Sequence, residues 1–360
     1  MRERRFFPLD QKLRLRKDHW SEGAAQVAAQ EGLQAASFVR AAQAYTRAVG
    51  GFISRSSVRR ITQGFGGCLA KQKEQEADRA SEIAEVGESA KDRRVPLQDP
   101  IVERGNVSSD GTMILLREEG WKEVKMAAFS QVEVLEPGSE KRRSTQRDGK
   151  RAREDVVRLH GHSYCAGVWK ADTFEKYQYA EGLRRGLDLL EHLSSANDGA
   201  PWIERTTFTN FPEAAQVVDW NHAVGRLWKV AHAVYGEGEA AKKWIGPLEE
   251  RLWNGEGELV IEALAALDLD QTSYPDEVRQ APGYFRRNLE RMRYDVFRAL
   301  GYPIGSGTVE SGAKNVVKHR MCRPGRGWKR DCAQAMLAGL SELYGERFDW
   351  AWQCAYHSAA

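Results

Sequence analysis

A run of strand-like segments interrupts a chain that otherwise has helical periodicity, and it restricts the possible fold more than any other feature. Apolar and β-branched residues cluster between Asn106 and Val134, and Glu118-Glu119-Gly120 supplies a turn within the run. Asp110-Gly111 interrupts the first apolar segment, either inside a strand or at its mouth. The pattern predicts three successive strands that form a meander.

Helical and strand-like segments alternate after this run. A helix is expected from Asp172 to about Leu193, and a short apolar strand is expected over Gln216-Val217-Val218. This alternation after a meander predicts a mixed α/β sheet. From Ala223 to about Arg298 the chain is rich in Trp and Leu and has no strand pattern. That stretch indicates an all-helical insertion between the last strand and the final helices.

Composition and periodicity divide the chain into consecutive regions. The expected regions are a helical region at residues 1–70, a charged linker or helix at 71–104, the first part of the α/β core at 105–222, the helical insertion at 223–300, the carboxy-terminal helices of the core at 301–352 and a tail at 353–360. Within the first region, one helix is expected from Ala24 to a stop at Gly50-Gly51.

The amino-acid composition indicates the cellular compartment of the chain and the class of its partners. An apolar fraction of 41% supports a packed core, and a net charge of +3 excludes a polycation, although the positive charge is locally clustered. Five scattered cysteines without zinc-ligand spacing indicate a reducing cytosol. No stretch has the length of a membrane span, and no apolar signal segment follows Met1. A cytoplasmic protein without a membrane partner is therefore expected.

Two basic clusters are candidate nucleic-acid surfaces. A helix, a Gly turn and a second helix with Arg55, Arg59 and Arg60 fit a helix-turn-helix, although ordinary helical hairpins share this pattern. Residues 314–330 contain seven Lys or Arg and no acidic residue. The candidate DNA-contacting residues there are Lys314, Lys318, Arg320, Arg323 and Arg326. A basic segment at residues 140–158 is expected to be a surface loop that either meets a phosphate backbone or is simply solvated.

A Gly-Ser-Gly turn at residues 305–307 precedes the second cluster and begins a helix. Thr308 is the expected N-cap, and Glu310 falls in the first turn, where a carboxylate suits the helix dipole. Val309, Val316 and Val317 fit one apolar face. This is either an ordinary capped helix with a solvated charged face or a site with one carboxylate at the head of a basic helix.

Three carboxylates in unusual local settings are candidate site residues. Asp110 lies in or beside the first strand, Asp198 follows a later strand-like segment, and Glu310 begins the late helix. If they converged, cations would be needed to neutralise their mutual repulsion, and hard oxygen ligands at an open site suit Mg²⁺. Two such ions can activate a nucleophile and stabilise the leaving oxygen of a phosphodiester. Asp219 and His222 follow the short apolar strand.

Short motifs keep one order over roughly residues 100–352. They are Asp110-Gly111-Thr112, Gly120-Trp121-Lys122-Glu123-Val124-Lys125, Asp172-Thr173-Phe174, Asp198-Gly199-Ala200-Pro201-Trp202-Ile203, Val218-Asp219-Trp220-Asn221-His222-Ala223, residues 302–311 and Gly327-Trp328. Together they resemble bacterial insertion-sequence transposases of the DDE class, in the ISKra-type group that is distantly akin to Mutator-like transposases.

The resemblance implies an RNase H-like fold with a helical insertion between the last strand and the final helix. It implies that Asp110, Asp198 and Glu310 form a DDE triad that binds two Mg²⁺ or Mn²⁺ ions. Asp219 and His222 would be a DxxH motif beside the triad, although His222 could also be a packed histidine at a helix start. The implied activity is cleavage of double-stranded DNA at terminal inverted repeats and strand transfer into target DNA. A homo-oligomer would hold two ends, at the nucleoid in the bacterial cytoplasm.

Two features depart from the family pattern. Residues 192–197, just ahead of Asp198, are polar where the family has an apolar buried strand, and this would weaken the sheet and displace Asp198. Relatives also begin with a Cys-rich zinc-binding module ahead of the segment that resembles Phe6-Phe7-Pro8-Leu9-Asp10, which would make this chain a shortened product or a remnant. The alternatives are therefore a catalytically inactive DNA-binding remnant and a general nuclease of the same fold.

Overall fold

Five strands form one mixed β-sheet, and helices pack on both of its faces. The computed structural model describes residues 15, 20–86, 95–137, 144–145, 153–154, 156–269, 273–325 and 327–357. The strands are β1 (Arg104–Leu116), β2 (Gly120–Val134), β3 (Val157–Gly167), β4 (His192–Asn197) and β5 (Ala215–Val218). Their order is β3-β2-β1-β4-β5; β1, β2 and β3 are antiparallel, whereas β4 runs parallel to β1 and to β5. The predicted mixed α/β class is confirmed.

The meander differs from the prediction in its third strand. Residues 106–134 form two strands, not three, because Asp110-Gly111 continues β1 without a break. The turn falls where it was predicted, and Gly120 begins β2 with a φ of 74°, which glycine adopts without strain. The third strand is β3, an edge strand in which only Val157 and Leu159 alternate with polar residues before Gly161 ends the pattern. Most of the basic segment at residues 140–158 lies outside the described residues.

The polar segment ahead of Asp198 forms a buried strand, contrary to the expectation that it would weaken the sheet. β4 pairs with β1 on one side and with β5 on the other. The Ser194 hydroxyl donates to the Gly105 carbonyl at 3.2 Å, and the Asn106 amide donates to Ser194 Oγ at 3.1 Å. Buried polar groups are tolerated when they are hydrogen-bonded in this way. The strand therefore keeps Asp198 in its place at the sheet edge.

Among the described residues, three helices precede the sheet: α1 (Glu22–Gln34), α2 (Phe38–Val49) and α3 (Arg55–Val86). The single helix expected from Ala24 is wrong, because Ser37 caps α2 by accepting from Arg40 N at 3.2 Å and so separates it from α1. Ser54 caps α3 in the same way, by accepting from Ser57 N at 3.1 Å. α3 runs without interruption across the boundary expected at residue 70.

Two helices flank β4, namely α4 (Ala171–Arg184) and α5 (Pro201–Asn210). The helix expected to reach Leu193 ends at Arg184, because Gly186 has a φ of 72° and turns the chain. A short 3₁₀ turn (Leu187–Leu189) then leads into β4. The helical spacing of leucines therefore extended the prediction through a turn and into a strand.

The described residues between β5 and Gly301 are helical and contain no strand. The helices are α6 (Trp220–Tyr235), α7 (Glu239–Trp253), α8 (Gly257–Ala265), α9 (Asp276–Arg279), α10 (Ala281–Arg287) and α11 (Tyr294–Ala299). Leu227, Ile245 and Phe285 pack in their own apolar cluster, which also takes in Val217 of β5. This helical insertion thus packs directly against the end of the sheet.

The chain returns to the sheet through α12 (Gly307–Gly312), which continues through a π-helical turn (Ala313–Lys318) and a last turn (His319–Met321). α13 (Arg330–Tyr344) and α14 (Phe348–His357) are the last helices that the structure describes. α14 extends into the expected tail and buries Trp352 completely. Within the part of the chain that the structure describes, no helix combines the length and apolarity that a membrane crossing needs.

One apolar cluster joins the first and last parts of the chain to the sheet. It contains Met126 of β2, Phe65 of α3, Val316 of the π-helical turn and Trp352 of α14. A second cluster, with Val107, Phe129 and Phe174, packs α4 against the opposite face. Because β1 and β2 contribute alternate residues to the two clusters, the side-chain direction of every residue in these strands is determined.

Charged residues that are largely or fully buried connect α3, α4 and α13. Lys73 Nζ lies 2.6 Å from Glu342 Oε1, and Arg347 lies 3.1 Å from Glu342 Oε2 and 2.9 Å from Glu181 Oε1. Arg184 contacts Glu181 at 3.3 Å. We call this the buried ion network; its members are Lys73, Glu76, Glu181, Arg184, Glu342 and Arg347. Its three positive and three negative charges balance, which burial of ions requires.

The buried ion network predicts a loss of stability in acid. Burial alone would raise the pKa of Glu342, but Arg347, Lys73 and Arg184 outweigh this effect and lower the pKa to about 2 from the usual 4.5. The stabilisation from this carboxylate is therefore present above pH 4.5 and is lost as the pH falls towards 2. In urea unfolding, the difference in free energy of unfolding between the parent and Glu342→Gln is expected to shrink over this interval. A constant difference would contradict the assignment.

Candidate active site

Two aspartates lie at the same level on neighbouring parallel strands. Asn106 of β1 is opposite Ser194 of β4, and the same offset carried forward by four residues makes Asp110 level with Asp198. Direct pairing has ended by that point. β1 and β4 therefore diverge between the two aspartates.

A third aspartate extends this row to the next strand. Asn197 of β4 is opposite Val218 of β5, so the following residues, Asp198 and Asp219, are also level. Asp219 N donates to the Asn197 carbonyl at 2.6 Å, which continues the pairing to this position. The aspartate row, Asp110, Asp198 and Asp219, thus crosses three adjacent strands at one edge of the parallel part of the sheet.

The Asn197 side chain holds the strands apart where the row forms. Its Oδ1 accepts from Ser109 N at 2.6 Å, in the position that a backbone carbonyl would take in a continuous ladder. Its Nδ2 donates to Ser195 Oγ at 2.7 Å. Because both polar atoms are engaged and the residue is buried, the separation of β1 from β4 is built into the structure.

Glu310 lies on α12, which packs on the face of the sheet that Asp110 shares. Gly312 makes the close approach possible, because a Cβ there would lie 2.7 Å from a ring carbon of Tyr164 and 2.9 Å from Met126 Cε. Met126 is opposite Asp110 in the β1–β2 ladder and so shares its face of the sheet. α12 begins at Gly307 with Ser306 as N-cap residue, so the expectation of Thr308 as N-cap is wrong. Val309, Val316 and Val317 are buried as predicted.

The charges of the three candidate carboxylates interact. Burial raises the pKa of the Asp110 carboxyl, and the negative charges of Asp198 and Glu310 raise it further. A hydrogen bond from Gly111 N and the positive charge of Lys318 oppose this rise. The charges of Asp198, Glu310 and Lys318 are therefore near enough to Asp110 to affect its ionisation.

Each candidate carboxylate keeps one oxygen available. Asp110 Oδ1 accepts from Gly111 N at 2.7 Å, and Asp198 Oδ1 accepts from Ala200 N at 2.8 Å. Glu310 Oε1 accepts from Ser306 Oγ at 3.0 Å. No described residue donates a hydrogen bond to the second oxygen of any of the three. Carboxylates with available hard oxygens suit a divalent cation such as Mg²⁺ or Mn²⁺. The oxygens of these three carboxylates do not, however, all lie within 4.8 Å of one another.

Asp219 differs from these three because both of its oxygens are engaged. Oδ1 accepts from His222 N at 2.7 Å and lies 3.1 Å from His222 Nδ1; Oδ2 accepts from Ser306 N at 2.6 Å and lies 2.9 Å from Ser306 Oγ. Burial alone would raise the pKa of Asp219, but these hydrogen bonds outweigh it and lower the pKa. Asp219, His222 and Glu310 have ligand atoms within 4.8 Å of one another. In this group Asp219 is a positioning residue that ties β5 and α6 to the start of α12.

His222 is half exposed beside the acidic cluster. Its hydrogen bond to Asp219 raises its pKa, although burial opposes this, and the charges of Asp198 and Glu310 raise it further. Since ionised Asp219 can only accept, Nδ1 carries the proton and Nε2 is the ring atom left for other contacts. Nδ1 lies 4.0 Å from Glu310 Oε1. The structure thus brings His222 next to the predicted carboxylates.

The predicted DNA-contacting residues differ in how far they are exposed to solvent. Arg55, Arg59 and Arg60 are exposed on the first turns of α3, and Lys314 and Lys318 are exposed on the helix that follows Glu310. Arg323 is half-buried, and Arg326 lies outside the described residues. The exposed lysines follow Glu310 at intervals of four residues, across a π-helical turn of the kind that is frequent at functional sites.

Arg320 is buried, and its prediction as a DNA contact is wrong. Its guanidinium carbon lies 4.6 Å from the Phe38 ring centroid and 5.2 Å from that of Trp328. Its Nε donates to the Gly32 carbonyl at 3.3 Å. Arg320 follows Val316 by four residues and therefore shares the buried face of the helix. The helical spacing that identified the valines could have identified this arginine as a packing residue.

Two tyrosines of the helical insertion, which were not singled out in the sequence, donate hydrogen bonds to backbone carbonyls at the site. Tyr284 donates to the Asp198 carbonyl at 3.0 Å, and Tyr294 donates to the Val218 carbonyl at 2.9 Å. Trp220 N also donates to the Ile304 carbonyl at 2.8 Å. No local pattern marks these tyrosines, because their role depends on contacts across about 80 residues of chain. The insertion therefore positions the ends of β4 and β5.

No protein-family model and no curated protein matches this chain. The interpretation of the site therefore rests on its geometry. The site combines three carboxylates with available oxygens, a positioning aspartate, a half-exposed histidine and two exposed lysines. Such a set can bind divalent cations and, next to them, a phosphate-containing ligand.

Proposed function

We propose that this protein is a DNA transposase of the DDE class, built on an RNase H-like core. The observation that supports this most directly is that the charges of Asp198, which follows β4, and of Glu310, on α12, act on Asp110 of β1, and that Asp110 and Asp198 share one strand register. The order of the sheet and the helical insertion ahead of α12 are compatible with the fold that the sequence resemblance implies.

The chain's own residues have distinct roles in the proposed reaction. Asp110, Asp198 and Glu310 would hold two Mg²⁺ or Mn²⁺ ions. When bound, such ions activate the attacking oxygen and stabilise the leaving oxygen in an in-line displacement at phosphorus. Lys318, exposed beside Asp110, would bind a non-bridging oxygen of the DNA backbone. His222 offers Nε2 to the substrate while Asp219 holds its Nδ1.

The proposed substrate is double-stranded DNA at terminal inverted repeats, followed by target DNA. The exposed arginines at the start of α3 are placed on a helix that follows α2 after a short glycine-containing turn, as in a helix-turn-helix. A transposase would act as a homo-oligomer that holds two ends. In the cell it would be cytoplasmic and associated with the nucleoid.

The test is a cleavage and strand-transfer assay with purified protein and plasmids that carry the DNA flanking the gene. Sequenced products with metal-dependent cuts at repeat ends and joined 3′ ends would support the proposal. DNA binding without cleavage in Mg²⁺ or Mn²⁺ would favour the inactive DNA-binding alternative. Cleavage that is indifferent to the repeats would indicate a general nuclease.

Tyr284→Phe is expected to slow cleavage about 10- to 100-fold, the range that loss of an outer-shell partner costs at metal sites. The substitution removes the hydroxyl that donates to the Asp198 carbonyl and leaves the ring in place. Initial cleavage rates over a series of Mg²⁺ concentrations measure the effect. Tyr235→Phe at the exposed end of α6 is the matched control and is expected to cleave like the parent. Equal cleavage rates for both variants would show that Tyr284 does not contribute to the site.

A further inference from the structure

A basic cleft opens on the helical insertion beside the candidate site. Its volume is about 350 Å³, and it is lined by Arg226, Arg279, Gln280, Gly283, Tyr284 and Arg287. The lining contains three guanidinium groups and no carboxylate. Such a cavity is polar and positively charged, and therefore suits an anionic ligand better than an apolar one.

Tyr284 lies between this basic cleft, which we call the arginine cleft, and the acidic site. Tyr284 lines the cleft, and its hydroxyl donates to the Asp198 carbonyl at 3.0 Å. The Arg226 guanidinium lies 3.9 Å from the centroid of the same ring. Arg226 also follows His222 by four residues on α6, so that the two lie on one face about one helical turn apart. The cleft and the acidic site are therefore neighbours.

The charge of the cleft is not cancelled within the described part of the chain. Arg279 pairs with Asp276 on its own helix, but no described carboxylate forms a salt bridge with Arg226 or Arg287. Two other cations of this region are paired: Lys229 lies 2.7 Å from Glu277, and Arg291 lies 2.9 Å from Glu204. Guanidinium groups without a carboxylate partner are suited to bind the oxygens of an external anion such as phosphate.

We propose that the arginine cleft binds phosphate groups of the DNA strand that runs into the acidic site. The identity of the ligand rests on the proposed function. The acidic site by itself repels a polyanion, so a strand must be held by positive charge next to it. Guanidinium groups bind phosphate oxygens through paired hydrogen bonds, and Arg226 and Arg287 supply two of them at the cleft.

The experiment measures DNA binding by the full chain without catalysis. Fluorescence anisotropy follows labelled duplexes and single strands of equal length in EDTA over a range of salt concentrations. The cleft variant is Arg226→Gln/Arg287→Gln. The matched control is Lys243→Gln/Arg251→Gln, which removes the same charge from exposed positions on α7 that do not line the cleft. The slope of log affinity against log salt is expected to decrease in magnitude by about 2 in the cleft variant and to stay near the parent value in the control.

Single variants guard against misfolding, because Arg226 packs on Tyr284. Arg287→Gln alone is expected to reduce the slope by about 1, with an unchanged circular dichroism spectrum. Equal slopes for the cleft and control variants would overturn the proposal. Tripolyphosphate that binds the parent tightly but leaves DNA binding unchanged would also overturn it and indicate a free phosphate ligand.

The same design separates the two proposals. If the parent binds DNA and the cleft variant has the smaller salt slope, but no metal supports cleavage, the cleft proposal holds and the proposed transposase activity fails. If the parent cleaves at repeat ends and the cleft variant keeps the parent's slope, only the cleft proposal fails. If the parent binds no DNA at all, both fail.

Discussion

Glu310→Gln is expected to reduce metal-dependent DNA cleavage by more than about 100-fold, because loss of an outer-shell partner alone costs up to that factor at metal sites. The substitution keeps the size of the side chain and an acceptor for the Ser306 hydroxyl, which now lies 3.0 Å from Glu310 Oε1. It removes the charge that a divalent cation requires. Initial rates of product formation, measured at several Mg²⁺ concentrations, give the effect, and anisotropy is expected to show unchanged DNA binding.

The control for this variant is Glu262→Gln, which makes the same change at an exposed position on α8. It is expected to cleave like the parent. Asp110→Asn tests the other side of the site and is expected to match Glu310→Gln. If both site variants cut as fast as the control, the acidic cluster is not the reaction centre, and its geometry needs another explanation.

Arg347→Met is expected to lower the free energy of unfolding by about 3–5 kcal/mol, the usual cost of removing one partner from a buried ion pair. Arg347 contacts two buried carboxylates, Glu342 at 3.1 Å and Glu181 at 2.9 Å. Without it, these carboxylates are left with less positive charge than burial requires. Urea unfolding at neutral pH, followed by circular dichroism, measures the loss.

Arg330→Met is the matched control for the network. Arg330 also makes a paired contact with a carboxylate, through Nε at 2.8 Å from Glu119 Oε1, but this pair is at the surface. Solvent screens such pairs, so the control is expected to lose much less stability. Equal losses in the two variants would show that the buried ion network does not contribute more than a surface contact.

Much of the candidate site could be predicted from local patterns. Asp110-Gly111 interrupts an apolar run, Asp198 follows a strand-like segment, and Glu310 opens a helix with an apolar face of valines. These signals survive in the structure because each depends on residues within one or two turns or one strand. The exposed positions of Lys314 and Lys318 follow from the same helical spacing.

The predictions failed where distant contacts override local pattern. β3 was missed because its apolar alternation covers only Val157 to His160 and then ends at Gly161. The polar β4 was expected to be weak, yet partners on β1 satisfy its hydroxyls. Arg320 was counted as a surface charge because its type outweighed its position on the buried face of the helix. In each case tertiary neighbours decided whether polarity meant exposure.

The sequence by itself determined the mixed α/β class of the fold and the helix on which Glu310 lies, since these depend on periodicity and residue type; it named the three carboxylates as candidates. Only the tertiary structure decided that Asp110, Asp198 and Asp219 form one row, that Asp219 positions its neighbours instead of keeping oxygens available, and that Tyr284 separates a basic cleft from the site. The physical reason is that strand register and hydrogen bonding join residues that are about 20 to 90 positions apart, a range over which local propensity carries no information.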